Sequence, residues 1–295
     1  MVKNQAISLN NLGIEIEFFT IKGRGLQSYF RHIFILRKYY KKNNFDLVHS
    51  HYSYSSFVAA LAGIRPLIVS LMGSDVMANG KFKSAIKWFN RLFWSATIVK
   101  SGEMKISSGV TNAIIIPNGV DIEIFKPILK SEAIKALNWD PNKRHILFAA
   151  NPGRYEKNFK LAQVALKYQS ENDLELHVLD KVPPFQVPLL MNASEIVILT
   201  SLWEGSPNVI KEAMACNCPI VSTDVGDVRE IIENIDGCYI SNFDATELSE
   251  KIRLALEFAR FYKKNNGRNR IIELGLDSKS IAKRIFDVYQ GILSI

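Results

Sequence analysis

The chain has 295 residues, of which 47% are hydrophobic and 22% charged, the balance of a globular protein with room for two ordinary domains. No apolar run approaches the ~20 residues of a membrane span, no secretory leader is visible, and three cysteines are too few for a disulfide framework or a zinc ribbon. The net charge of +8 is concentrated at one end, the first 100 residues holding 14 Lys/Arg against 4 Asp/Glu. That half is expected to meet an anionic membrane face rather than nucleic acid, because no helix-turn-helix, zinc finger or RNP-like aromatic motif accompanies the charge.

Residues 2–12 read as a helix and 13–19 as a strand, with Ile14, Ile16 and Phe18 on one side. Leu26, Tyr29, Phe30, Ile33, Leu36 and Tyr40 then recur at helical spacing, with Arg31, Arg37, Lys38, Lys41 and Lys42 between them. The apolar stripe of this helix is expected on a sheet. Its cations form either a solvated face or a contact with anionic headgroups, at roughly 1 kcal/mol per Lys or Arg near such a surface. Strands at 46–50, 67–71, 96–99 and 113–117 follow, separated by helices at 55–62, 86–93 and 103–108. Pro117-Asn118-Gly119 is a turn signal, and the polar stretch to Asn142 reads as a link.

A second series has strands at 145–149, 174–178, 195–200, 219–223 and 237–240. Its helices lie at about 158–169, 186–192, 207–216, 227–232 and 244–262. Alternation of this kind implies parallel sheets with helices on both faces. The expected fold class is α/β, as two doubly wound Rossmann-like domains facing a cleft, 1–127 and 128–295. Cys216, Cys218 and Cys238 read as buried, reduced thiols of a cytoplasmic protein.

The most informative stretch runs from Ser201 to Gly226. An apolar strand enters it, Glu204-Gly205-Ser206-Pro207-Asn208 forms its loop, and a helix carrying Glu212 follows before the next strand. Ser206 suits an N-cap and Pro207 the first helical position. The first free amides, with Gly205 allowing close approach, make a site for an anion such as phosphate. Asn208 and Glu212 share one helix face, while Ile210, Ala213 and Met214 turn to the core. Glu204 and Glu212 can thus flank a ligand as hydrogen-bond acceptors. Upstream, Asn151-Pro152-Gly153-Arg154-Tyr155-Glu156-Lys157 follows the first strand of the second series. Arg154 and Lys157 are fixed cations suited to neutralising an anionic group at this loop.

Spaced eight residues apart in this strand–loop–helix–strand setting, Glu204 and Glu212 resemble the E-x7-E region of retaining, nucleotide-sugar-dependent GT-B glycosyltransferases of family 4. The resemblance runs from about Met1 to the C-terminus and implies a transfer with retention at the anomeric carbon, without a metal ion or other cofactor. Glu204 would hold a hydroxyl of the transferred sugar and Glu212 the ribose hydroxyls. Arg154 and Lys157 would face the two phosphates, Lys157 carrying over more directly because the spacing is shorter than the family's common form. The nucleobase would lie near Val182-Pro183-Pro184 and Pro188, and a final helix near 280–293 would cross back to the first domain.

Met72-Gly73-Ser74-Asp75 resembles the family's H-G-S-D loop near sugar and acceptor, with methionine in place of histidine. On the same resemblance Asp75 is a catalytic candidate, and Gly73, Ser74 and His51 are acceptor-side ones. Val2-Lys3-Asn4-Gln5-Ala6 resembles the helix that follows the family's first strand and Gly-rich loop, so that strand is expected to be missing, through a late start assignment or a truncation. The expected function is sugar transfer from a nucleotide-sugar to a polysaccharide or glycolipid, glycan or lipid-linked, in the cytoplasm or peripherally on the inner membrane face. The alternatives are a catalytically inactive nucleotide-sugar-binding partner subunit and, less consistent with the E-x7-E unit, a nucleotide-sugar epimerase.

Overall fold

The computed structural model describes residues 2–23, 25–77, 82–171, 173–262 and 264–294. They form two compact units, residues 1–118 with 278–295 and residues 119–277.

The first unit contains a four-stranded parallel sheet. Its strands are β1 (Val48–His51), β2 (Leu67–Ser70), β3 (Ala96–Val99) and β4 (Ile114–Ile115), adjacent in that order. Around it lie α1 (Val2–Asn10), α2 (Gly25–Lys42), α3 (Ser53–Leu61), α4 (Lys83–Leu92) and α5 (Gly102–Ser108). Residues β2 buries on both faces, Leu67, Ile68, Val69 and Ser70, explain why it reads as an unbroken apolar run. Leu36 of α2 is buried with Val58, Ile64, Ile86 and Val99, and Tyr29, Ile33 and Tyr40 pack against that core.

The expected strand at 13–19 is a correction. These residues form no strand, and among the described residues none pairs with them. Alternation alone cannot make a strand, because the backbone groups need a neighbouring ladder. Ile14 and Ile16 keep partial burial, while Phe18 is exposed.

The second unit opens with α6 (Lys130–Leu137), where a link was expected. Ala133 and Ile134 are buried there with Ala193, and Leu137 and Trp139 pack against them. Then come β5 (Arg144–Phe148), α7 (Phe159–Lys167), β6 (Leu174–Val178), α8 (Val187–Ala193), β7 (Ile196–Leu199), α9 (Asn208–Ala215), β8 (Ile220–Thr223), α10 (Val228–Ile232), β9 (Cys238–Ser241), α11 (Ala245–Tyr262) and α12 (Gly267–Glu273). The last helix, α13 (Ser278–Leu293), belongs to the first unit, where Tyr289 reaches His49 of β1.

The second sheet is parallel throughout, in the order β6-β5-β7-β8-β9. The chain leaves β5 toward one side to make β6, then returns to the other side for β7. The carboxyl ends of β5 and β7 therefore diverge into loops on either side of a topological switch point, the place where open α/β sheets receive ligands. All three cysteines are free thiols, and burial pushes Cys216 and Cys238 up to about 12 and Cys218 to about 11, so none is a ready nucleophile. Among the described residues no helix is long and apolar enough to cross a membrane.

Candidate functional site

The loops after β5 and β7 are locked side by side at the switch point. The Leu202 amide donates to the Glu156 carbonyl at 2.8 Å. The Thr200 hydroxyl is shared between the carbonyls of Lys157 and Asn158, at 2.9 and 3.0 Å. Asn151 accepts from the Gly153 amide at 2.7 Å, an Asx turn that shapes the first loop.

This stitching brings two of the sequence candidates together. Lys157 forms an ion pair with Glu204, both side chains being mostly buried, and Ser201 donates to the same carboxylate oxygen of Glu204 at 2.8 Å. Arg154 stands apart from them. Its guanidinium is more than half exposed and pairs with Glu156, so it is available at the rim rather than inside.

α9 begins just beyond Glu204. Its N-cap is Pro207, and no side chain caps it. The N-cap expectation for Ser206 is thus corrected: its hydroxyl is otherwise engaged, donating to Asp227 at 2.5 Å and accepting from the Lys211 ammonium at 2.7 Å. The N-terminus of α9, beside Glu204 and Gly205, remains the positive end of the helix dipole. Ile210, Ala213 and Met214 are buried, as the helical spacing requires.

Lys211 and Asp227 escaped sequence reasoning. Lys211 is fully buried, and Asp227 is nearly so, with one carboxylate oxygen lacking a hydrogen-bond partner. Burial pushes the lysine down and the aspartate up, each opposed by the other's charge. The signal available in sequence was faint: a lysine between Ile210 and Glu212 on a helix that α8, α10 and α12 cover.

Gly226 supplies the other wall. Its φ is +63°, and a Cβ there would stand 2.8 Å from the Gly205 carbonyl oxygen, so only glycine lets the 226 turn touch the Glu204–Gly205 backbone. The Thr223 hydroxyl donates to the Ser201 carbonyl at 2.7 Å and fixes the end of β8 to the same loop. Glu212, four residues along from Asn208, is partly buried, and burial raises its pKa to about 7 against the opposing pull of Lys211. The 182–184 segment lies between β6 and α8, where Pro184 opens a single 3-10 turn.

In the first unit, Gly73, Ser74 and Asp75 form a 3-10 turn after β2. Asp75 is buried, and its two oxygens accept from the backbone amides of Ser53 and Met72, each at 2.8 Å. Burial lifts its pKa to about 6, those amides pulling the other way. The aspartate thereby ties the start of α3 to the turn. His51 ends β1, and its ring stacks on His49 at 4.4 Å between centroids. Burial, with Lys100 adding to it, lowers His51 to about 4, so it is neutral at ordinary pH. Tyr52, next to it, is held at φ +78°, an uncommon conformation for a non-glycine residue.

Comparison with known proteins matches the family "Glycosyl transferases group 1" over residues 132–257 and "Glycosyl transferase 4-like" over residues 2–101. The putative teichuronic acid biosynthesis glycosyltransferase TuaC of Bacillus subtilis is 27% identical over 236 residues, 70% of this chain and 60% of its own length. An Escherichia coli UDP-Gal:alpha-D-GlcNAc-diphosphoundecaprenol alpha-1,3-galactosyltransferase is 25% identical, over 86% of this chain and 77% of its own. Among solved structures, sucrose-phosphate synthase from Thermosynechococcus elongatus superposes with a TM-score of 0.78 at 16% identity, over 91% of this chain and 79% of its own. Anabaena HepE in complex with UDP and glucose superposes with a TM-score of 0.72 at 17% identity, over 97% and 89%. The two family matches fall on the two units, one on each, and the fold shared with these structures is GT-B. The chain belongs to the group 1, family-4-type glycosyltransferases.

Proposed function

We propose that this protein transfers a sugar from a nucleotide-sugar donor, with retention of anomeric configuration, to a glycan or lipid-linked acceptor in polysaccharide or glycolipid synthesis. The observation that carries the reading is the Lys157–Glu204 pair, held at the switch point beside the N-terminus of α9.

As the bond between the anomeric carbon and the diphosphate oxygen breaks, negative charge builds on the leaving group. The Lys157 ammonium and the α9 amides are suited to stabilise it, and Arg154 can reach the outer phosphate from the rim. We assign this task to protein cations, with no metal ion in the transfer step. When a diphosphate takes Lys157, Glu204 is released to hold a hydroxyl of the transferred sugar. Glu212 accepts from the ribose hydroxyls. For retention, the acceptor hydroxyl attacks from the face the diphosphate leaves, and a diphosphate oxygen takes its proton. Asp75 and the Gly73–Ser74 turn are the acceptor-side candidates, Asp75 acting by positioning the turn.

The UDP complexes of HepE and the undecaprenol-linked acceptor in the Escherichia coli relative's name support this donor and acceptor class. The location we propose is the inner face of the cell membrane, reached from the cytoplasm. α2 supports it by presenting Phe30 and Phe34, 62% and 75% exposed, among Arg31, Arg37, Lys38 and Lys41. Met72, in place of the family's frequent histidine, favours a second reading as a binding subunit without transfer.

A thermal-shift panel of UDP, GDP and ADP tests the donor site. At least one should stabilise the protein, and Glu212→Ala should abolish that shift. No stabilisation by any of them, or an undiminished shift in the variant, defeats the assignment. Anomer analysis of the product by NMR then tests retention, and product formation itself removes the second reading.

A further inference from the structure

We propose that the second unit carries a binding site for a zinc-class divalent transition metal, formed by His145 of β5 with Glu175 and His177 of β6. His145 lies near the start of β5, beside Glu175 in the β5–β6 register, with His177 two residues further along β6. Alternation along the strands puts all three side chains on one face.

The donor atoms have the spacing of a chelate. His145 Nδ1 and His177 Nε2 are 3.0 Å apart, and each lies 3.7 to 3.8 Å from a Glu175 carboxylate oxygen. The two glutamate distances run to different oxygens of the carboxylate, Oε2 for His145 and Oε1 for His177; donor atoms about 2.1 Å from a shared tetrahedral ion stand about 3.4 Å apart, and the observed separations bracket that value. Among the described residues this is the one group of three or more such side chains gathered closely enough to hold an ion.

The surroundings prepare the ligands. His145 is fully buried, and its Nε2 lies 3.0 Å from the Asp140 carbonyl. That bond places the ring proton on Nε2 and leaves the Nδ1 lone pair facing the site, the arrangement found around metal-bound histidines. The Trp139 ring lies flat against His177, with centroids 3.5 Å apart, and walls one side while leaving the ring edge clear. Without an ion, the His177 Nε2 proton bridges to His145 Nδ1; on binding, that proton is carried on Nδ1 of His177. Glu175 is about half exposed, so the ion enters from its side and a water completes the fourth position. Two imidazoles and one carboxylate suit zinc over magnesium or calcium.

A bound ion would clip the start of β5 to β6 and hold Trp139, the residue linking this corner to α6. Its role is therefore structural, separate from the transfer step. The test uses the full chain without an affinity tag, stripped with chelator and titrated with Zn2+ against a chromophoric indicator. The expected result is one tight equivalent, weakened about tenfold or more in His177→Gln and in Glu175→Gln. Zinc should also raise the melting temperature of the wild type and not that of His177→Gln, while nucleotide-induced stabilisation is the same in both. Absence of a tight equivalent, or one unaffected by both substitutions, overturns the proposal. Neither result bears on the donor site, which the nucleotide panel reads separately.

Discussion

Replacing Lys211 by methionine isolates the buried charge beneath the donor loop. The methionine fills nearly the same volume, so the principal loss is the ammonium that donates to Ser206 at 2.7 Å and offsets Asp227. Asp227 is 7% exposed and already has one oxygen without a hydrogen-bond partner, so its carboxylate would be left buried and uncompensated. Stranding one member of a buried pair costs about 3–5 kcal/mol. For a folding unit of this size, each kcal/mol lowers the melting temperature by about 2–4 °C, so a fall of at least about 6 °C is expected. The double substitution Lys211→Met, Asp227→Leu removes both charges and should recover most of the loss. Calorimetry or a urea transition read for the second unit measures both variants. A single variant within about 2 °C of wild type, or a double variant no better than the single one, would refute the picture of a compensated buried pair.

The pKa of about 7 for Glu212 sets a pH dependence. Burial favours its neutral form, so in the role proposed for it Glu212 would present an acid to ribose hydroxyls below that pH and a carboxylate above it; affinity for the stabilising nucleotide should rise about tenfold between pH 6 and 8 beyond any change shared by Glu212→Gln. Lys157→Ala should weaken the nucleoside diphosphate by about 1.5–3 kcal/mol in isothermal titration and leave the corresponding nucleoside unchanged; equal loss for both would place the lysine elsewhere. Phe30→Ser with Phe34→Ser should abolish cosedimentation with vesicles rich in anionic lipid, and high salt should weaken wild-type binding. Binding to uncharged vesicles at equal strength would argue against the charged aromatic face.

Much of this architecture is written locally. Apolar runs such as Leu67–Ser70 and Ile196–Leu199 are buried on both faces and read as strands at sight. The helix after Glu204 declares itself through Pro207 and the spacing of Ile210, Ala213 and Met214. What failed needed a partner to decide it. Residues 13–19 have strand alternation without a neighbouring ladder, while α6 has three apolar positions made meaningful only by α8. Ser206 resembled a cap because the sequence does not reveal that Lys211 and Asp227 converge on its hydroxyl. Lys157 could be nominated from its charge, but its pairing with Glu204 depends on β5 and β7 being neighbours.

The Lys157–Glu204 pair has a consequence for selectivity. With each charge answering the other, the resting site is close to electrically silent and offers little to a passing ion. Inorganic phosphate can satisfy Lys157 but would then leave Glu204 facing an anion with only Ser201 to support it. A free sugar can satisfy Glu204 but strands the ammonium. On the function proposed, a nucleotide-sugar that brings an anion and a hydroxyl together should open the latch more favourably than the nucleoside diphosphate alone, which engages Lys157 but leaves Glu204 without a sugar hydroxyl.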